Sequence, residues 1–366
     1  MNTTTKSIYR ANAVYIRVPH FMSHSGYELV SGYVGRPATI VGTGEKWPRA
    51  QIFRYPQAII KALSGLKEYS FGGLALELST IARMARARDE IFHFLYGEHF
   101  CRYTPFLNGW RGNKVIASFH QTPAQLEANL KYRSHLKRLA AVIILGQNQR
   151  QFFEQIIPDE RIFFVPHGVD TAYFQPASER EAWATPFCLC VGGNLRDFDT
   201  LREAIKLVNA SGVPLQFEAI ARLDQAEAVQ GLPNVRVRDW VSEEEMLRLY
   251  QQADVLVLSF CDAVASNMLL EGMACGAPLV VTDVGAVCDY VSEREARLVP
   301  PQSPSDLAAG IIELVANPDQ AVAQGRRARQ RSLQLDHQLM ALRLKAVYAQ
   351  TMAQPVSGSI EGRRSR

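Results

Sequence analysis

Residues 266–283, SNMLLEGMACGAPLVVTD, place an acid one turn inside an apolar helical pattern that ends in a Gly-Ala-Pro turn and an apolar, β-branched run. Ser266 and Asn267 are residue types that open helices, so a helix starting near Asn267 would present free N–H groups at its N-terminus, a geometry suited to a diphosphate. Glu271 lies one turn further in. A carboxylate there could accept hydrogen bonds from two vicinal hydroxyls of a ribose. The plain alternative is a helix-surface carboxylate beside a buried segment.

A second segment has matching chemistry. The apolar run 187–191 leads into Gly192-Gly193-Asn194-Leu195-Arg196. Glycines at this point let the backbone approach a phosphate while a cation balances its charge. Asp197-Phe198-Asp199 has the spacing of a metal-chelating D-x-D. Its position at a helix start favours capping by Asp197 or Asp199, and no metal is expected. In the first half His120 follows the strand pattern 115–118 at its C-terminal end, where its imidazole could donate to a sugar hydroxyl or carbonyl. His20, His24, Ser25, Gly26 and Tyr27 follow the first strand pattern, and Tyr96, Glu98 and His99 follow another. Both groups are candidates to line an acceptor, although core packing and capping explain the second group equally well.

These residues need parallel strands to aim them, and the chain has the required rhythm. Strand patterns at 13–18, 38–42, 91–95, 115–118, 141–145 and 161–165 alternate with helical patterns at 57–66, 74–86, 123–139 and 148–157. A second set of strands at 187–191, 215–219, 235–238, 255–258, 279–282 and 296–299 repeats the alternation, which is the signature of α/β domains with parallel sheets. At 366 residues the chain suits two such domains. The expected layout is a first domain over 1–172, a linker over 173–186, a second domain over 187–335 and a C-terminal helix over 336–354 packing back on the first domain. The tail 355–366 contains Ile-Glu-Gly-Arg and looks like an expression tag. Sites in doubly wound sheets lie beyond the C-terminal strand ends, so the expected active site is a crevice between the domains.

With these segments in hand, the chain resembles the retaining glycosyltransferases of GT-B family 4. The likeness rests on FVPHGVD at 164–170, NVRVRDWVS at 234–242, the Leu-Tyr-x-x-Ala-Asp run within 243–258, and SNMLLEGMACGAPLVVTDVGA at 266–286. It spans nearly the whole second half. The first half matches only in rhythm and in Ser118-Phe119-His120. The resemblance implies two Rossmann-like domains facing across a cleft and a hexosyltransferase that uses a nucleotide sugar, UDP-glucose by frequency among relatives and GDP-mannose next. It implies that Glu271 binds the ribose, that the amides of Asn267, Met268 and Leu269 behind Ser266 touch the diphosphate, and that Trp240 and Val241 lie in the loop framing the base. Arg196, beside Gly192 and Gly193, would hold the β-phosphate, and His120 would sit against the donor sugar. The family's first glutamate, eight residues before Glu271, is absent: Ala263 stands there, and Asp262 is the neighbouring candidate. Gly193 likewise occupies the place of a second basic residue. A GT-B protein that binds nucleotide without competent catalysis is the alternative the missing glutamate leaves open.

Composition bounds the partners. Lys and Arg outnumber Asp and Glu by 21 to 12 through Asp170 and are outnumbered 19 to 24 beyond it, so a net +9 half precedes a net −5 half. The basic half could meet an anionic membrane, or it is simply a scattered, solvated face. No basic run is interleaved with aromatics, which argues against nucleic acid. The acceptor expected from the resemblance is a glycan or lipid-linked oligosaccharide, as in polysaccharide biosynthesis. The six cysteines lack metal-ligand spacing and read as buried free thiols of a cytoplasmic protein, peripheral at most to a membrane.

Overall fold

A computed structural model describes residues 10–16, 23–34, 36–37, 54–179 and 185–354. The described residues fall into two compact units: those within 10–16, 27–166 and 338–354 form the first, and those within 23–26 and 167–337 the second. Candidate His20, the strand pattern at 38–42 and the tail lie outside the described residues.

In the first unit β1 (Arg10–Val14), β2 (Arg36–Pro37), β3 (Glu90–Phe94), β4 (Lys114–Phe119), β5 (Ala141–Ile144) and β6 (Ile162–Phe164) form one parallel sheet ordered β2-β1-β3-β4-β5-β6. Every residue of β4 and β5 is buried, as expected of strands covered on both faces by helices. Those helices include Arg54–Ser64, Phe71–Met84, Pro123–Asn129 and His337–Ala353. The helix expected over 123–139 stops ten residues early. Leu130 bridges back to Leu66 and the Lys131 amide donates to Gly65 O at 2.8 Å. The buried Leu136 and Leu139 therefore reach the core from irregular chain. The helix expected over 148–157 is likewise shorter, at Arg150–Glu154.

The second unit is built from β7 (Phe187–Val191), β8 (Gln216–Ile220), β9 (Val235–Arg238), β10 (Val255–Leu258), β11 (Leu279–Thr282) and β12 (Arg297–Val299), in the order β12-β11-β10-β7-β8-β9. All six strands fall within a residue of their expected positions. The chain runs outward from β7 to β9 and then returns to start again at β10 on the other side of β7, so the order reverses between β7 and β10. Ligands of open α/β sheets bind at such reversals, and the loops after β7 and β10 carry the Arg196 and Glu271 segments.

The change of unit falls at Pro166, six residues before the expected end of the first domain. Segment 167–174 is stitched to the second unit. His167 N donates to the Tyr290 hydroxyl at 3.0 Å, Val169 N donates to Leu335 O at 3.0 Å, and Arg329 donates to the carbonyls of Thr171 and Phe174. Of the cysteines, Cys101, Cys188, Cys190 and Cys275 are buried, but Cys261 and Cys288 are exposed. Those two sit in the loop after β10 and in the short helix Val287–Tyr290, where apolar neighbours in sequence do not mean burial.

Helix Asn267–Cys275 is closed by Gly276 in the left-handed region at φ 71°, a conformation glycine adopts without strain. A Cβ added to Gly325 of the helix Pro318–Leu333 would stand 2.1 Å from the Gly276 carbonyl oxygen. Because backbone cannot yield as a flexible side chain can, Gly325→Ala is expected to destabilise the fold by about 1–3 kcal/mol. Thermal denaturation should show a midpoint several degrees lower, whereas Gly32→Ala, where nothing lies within 4 Å of the added carbon, should leave it unchanged.

Candidate functional site

The loop after β7 turns at Gly192, φ 86°, and brings Arg196 back beneath itself. Arg196 Nε donates to Val191 O at 2.9 Å and Nη1 to Asn194 O at 3.3 Å, while the guanidinium lies 4.2 Å from the Phe260 ring centroid. A Cβ on Gly192 would come within 3.0 Å of Arg196 Nη2 and 2.9 Å of the Met268 methyl, so bare backbone is what lets these two side chains close in. Arg196 Nη2 is buried and has no partner among the described residues, and no carboxylate there lies within ion-pairing distance of the guanidinium. Burial lowers its pKa to about 10 against opposing contributions from Tyr250, Cys190 and Cys261, so it remains a cation at neutral pH. A half-buried cation with a buried, open donor is poised for an anion.

The same loop is held from both sides. Asp197 N donates to Ser259 O and Cys261 N to Leu195 O, each at 2.9 Å. The Asp197 carboxylate caps the helix Phe198–Ala210 through Thr200 N and Oγ1, and Asp199 pairs with Arg202, so the D-x-D is occupied locally. Gly193 lies under the Gln225 amide, which a Cβ would overlap.

Beyond β10, Ser266 caps the helix Asn267–Cys275 by accepting the Leu269 amide. That amide is therefore already engaged. The Asn267 and Met268 amides remain the first-turn donors that no intrahelical carbonyl reaches. Asp262 accepts the amide of its own neighbour Ala263 at 2.8 Å, and the buried Ala263 carbonyl accepts Ala286 N. Glu271 is buried and accepts twice, from the Ser25 hydroxyl at 2.5 Å and the Tyr250 hydroxyl at 3.0 Å. Burial pushes its carboxyl up, the two hydroxyl bonds pull it back, and Glu243 adds to the rise. Val241 is buried while Trp240 is 73% exposed.

His24, Ser25 and Gly26 separate from Tyr27, with which the sequence grouped them. Segment 23–26 belongs to the second unit. The Ser23 and His24 amides both donate to the Glu243 carboxylate, at 2.9 and 2.7 Å. His24 Nδ1 lies 2.8 Å from Asp170 Oδ2 and its ring stacks on Tyr173 at 3.8 Å. The sequence reading singled out neither Tyr250 nor Phe260 nor Gln225. Tyr250 was within reach, since it stands in the Leu-Tyr-x-x-Ala-Asp run at 249–254. Contacts such as that between Phe260 and Arg196, 64 positions apart, carry no local signal.

In the first unit Tyr27, Tyr96, Glu98, His99 and His120 do come together, beyond the ends of β3 and β4. His120 packs on Tyr96 at 4.5 Å between ring centroids and edge-on to Tyr27 at 4.8 Å. Its amide donates to Glu98 Oε1 at 3.1 Å, and its Nδ1 is 3.5 Å from the same oxygen. Burial works to raise the Glu98 carboxyl, but the bond and charge of His120, with His99, outweigh it and hold it below the usual range. His99 Nδ1 pairs with Glu68 at 2.7 Å, and Tyr96 donates to Glu28. Behind this group runs a buried chain: the Tyr348 hydroxyl meets His93 Nδ1 at 2.6 Å, His93 Nε2 meets Ser118 Oγ at 2.7 Å, and Ser118 Oγ meets the Tyr27 hydroxyl at 3.1 Å.

Burial lowers His93 to about 3, with a smaller contribution from His120. Between that value and the ordinary 6.5 the unfolded chain binds the extra proton, so stability falls as pH drops through this window, by up to about 1.4 kcal/mol per pH unit. Glu77 and Glu271, both raised mainly by burial, act in the opposite sense. Comparing wild type with His93→Gln in chemical denaturation at successive pH values cancels them, and the difference should shrink steadily below pH 6.5.

Comparison with known proteins agrees with this architecture. Residues 185–317, within the second unit, match the family Glycosyl transferases group 1. A D-inositol 3-phosphate glycosyltransferase of Corynebacterium urealyticum is 29% identical over 119 residues, 32% of this chain and 28% of that protein. An MMP alpha-(1->4)-mannosyltransferase of Mycolicibacterium hassiacum is 27% identical over 206 residues, 54% and 50% respectively. The matches thus span half or less of these relatives. Among solved structures, a sucrose-phosphate synthase of Thermosynechococcus elongatus aligns over 85% of this chain and 82% of its own, with a TM-score of 0.61 at 19% identity. The fold is GT-B. No helix of the described residues is long and apolar enough to cross a membrane.

Proposed function

We propose that this chain is a retaining glycosyltransferase that moves a sugar from a UDP-sugar, with UDP-glucose the first donor to test on its frequency among relatives, to a glycan or lipid-linked acceptor. The observation that carries the reading is Arg196, a half-buried cation whose Nη2 is buried and unpartnered among the described residues, set beside Gly192 at the point where the strand order reverses. The Asn267 and Met268 amides and Arg196 would hold the diphosphate, and Glu271 the ribose hydroxyls. The acceptor oxygen forms its bond to the anomeric carbon as the bond to the β-phosphate oxygen breaks. The nucleoside diphosphate leaves with that electron pair and takes the acceptor proton. Ala263 removes the obvious carboxylate nucleophile, which favours this front-side course over a double displacement. Charge develops on the leaving diphosphate, where Arg196 would act. In the first unit His120, packed among Tyr27, Tyr96 and Glu98, is the candidate contact to a sugar hydroxyl. No metal enters the scheme.

Ala263 also supports a second reading, a GT-B protein that binds nucleotide without turning it over. Incubation with UDP-glucose or GDP-mannose across a panel of glycan and lipid-linked acceptors separates the two. Acceptor-dependent nucleotide release with an α-configured product supports the transferase; tight nucleotide binding without turnover on any acceptor supports the binder. The basic first half would suit an anionic bilayer beside a lipid-linked acceptor, and sedimentation with anionic vesicles tests that contact.

A further inference from the structure

We infer that residues 23–26 form a plug over Glu271 which a nucleotide must displace, with Ser25 standing where one ribose hydroxyl would bind. This rests on the reading of Glu271 as a ribose carboxylate. Ser25 and Tyr250 each give one O–H to one oxygen of this carboxylate, the same pair of bonds that a vicinal diol would supply. The space between segment 24–26, segment 168–169 and the start of helix Asn267–Cys275 is only about 150 Å³. That figure includes space open to solvent, and none of it admits even a water-sized sphere, so a ribose cannot join Ser25 there.

Three further attachments hold the plug, none of them involving Glu271. Glu243 gathers the Ser23 and His24 amides, Asp170 pairs with the His24 ring, and Tyr173 stacks on it. A segment tied down at two carboxylates and one aromatic face has a defined closed state. The apparent affinity for nucleotide is then reduced by the fraction of molecules in which the plug is open. Loosening the plug without touching Glu271 raises that fraction.

The test is UDP binding, by calorimetry and stopped-flow, to wild type, Ser25→Ala and His24→Ala, with GDP, ADP and TDP as alternative probes. Both variants are expected to bind about tenfold more tightly. The observed binding rate of wild type should level off at high UDP, because plug release comes first, and the variants should lift that ceiling. The two substitutions act at different attachments, so either one that folds suffices. Unchanged or weaker binding by the variants, with rates linear in UDP throughout, overturns the plug and leaves the nucleotide site standing. No binding of any of the four nucleotides by any of the three proteins removes the site and the plug together.

Discussion

Replacing Arg196 with Met should cut sugar transfer by about 10²–10³-fold while leaving the midpoint of thermal unfolding unchanged or slightly higher. Both halves of that result follow from the same burial. The guanidinium is held by two backbone carbonyls and the Phe260 ring, with one buried nitrogen unpartnered and no carboxylate beside it among the described residues. Hydrogen bonds of this kind each contribute only about 1 kcal/mol net. The cost of keeping an unpaired cation out of water is of similar size or larger. An apolar side chain of matching length keeps the packing on Phe260 and removes that cost. A merely structural arginine would give the opposite pattern, with lower stability and little change in turnover once the protein is folded.

Glu271→Ala should weaken nucleotide binding by about 10²-fold or more. Two bonds from hydroxyls to a buried carboxylate are each worth about 1.5–3 kcal/mol, so losing both lowers affinity by at least about 10²-fold. The substitution also strands the Ser25 and Tyr250 hydroxyls, and the fold should lose about 1–3 kcal/mol. Glu271→Gln separates the two effects. It keeps one acceptor oxygen and the side-chain volume, so stability should stay close to wild type while affinity still falls about tenfold.

The second unit was largely legible in the sequence, and the reason is physical. Its strands are short apolar runs separated by turn residues, and the phosphate and ribose candidates lie on segments whose cap, acid and terminating turn follow one another within 18 residues. Local chemistry is enough to read such a segment. Less could be read in the first half. The helix after Thr122 ends at Asn129 through a pairing with Leu66, a partner 64 positions away that no periodicity announces. The meeting of Ser25 with Glu271 spans 246 positions, and it moves Ser25 from the acceptor side to the carboxylate proposed to hold the donor. The cluster of His120, Tyr27, Tyr96 and Glu98 was legible only as separate strand-end residues, because the parallel order β1-β3-β4 that gathers them is a property of the sheet.

Thermal unfolding of wild type and Glu271→Ala with UDP, GDP, ADP and TDP tests the central claim most directly. At about 100 times the dissociation constant a bound nucleotide adds roughly 2.7 kcal/mol, a shift of several degrees for domains of this size. The account predicts that UDP raises the wild-type midpoint by that amount and leaves Glu271→Ala nearly unmoved. No shift with any of the four, or an equal shift in the variant, would contradict it.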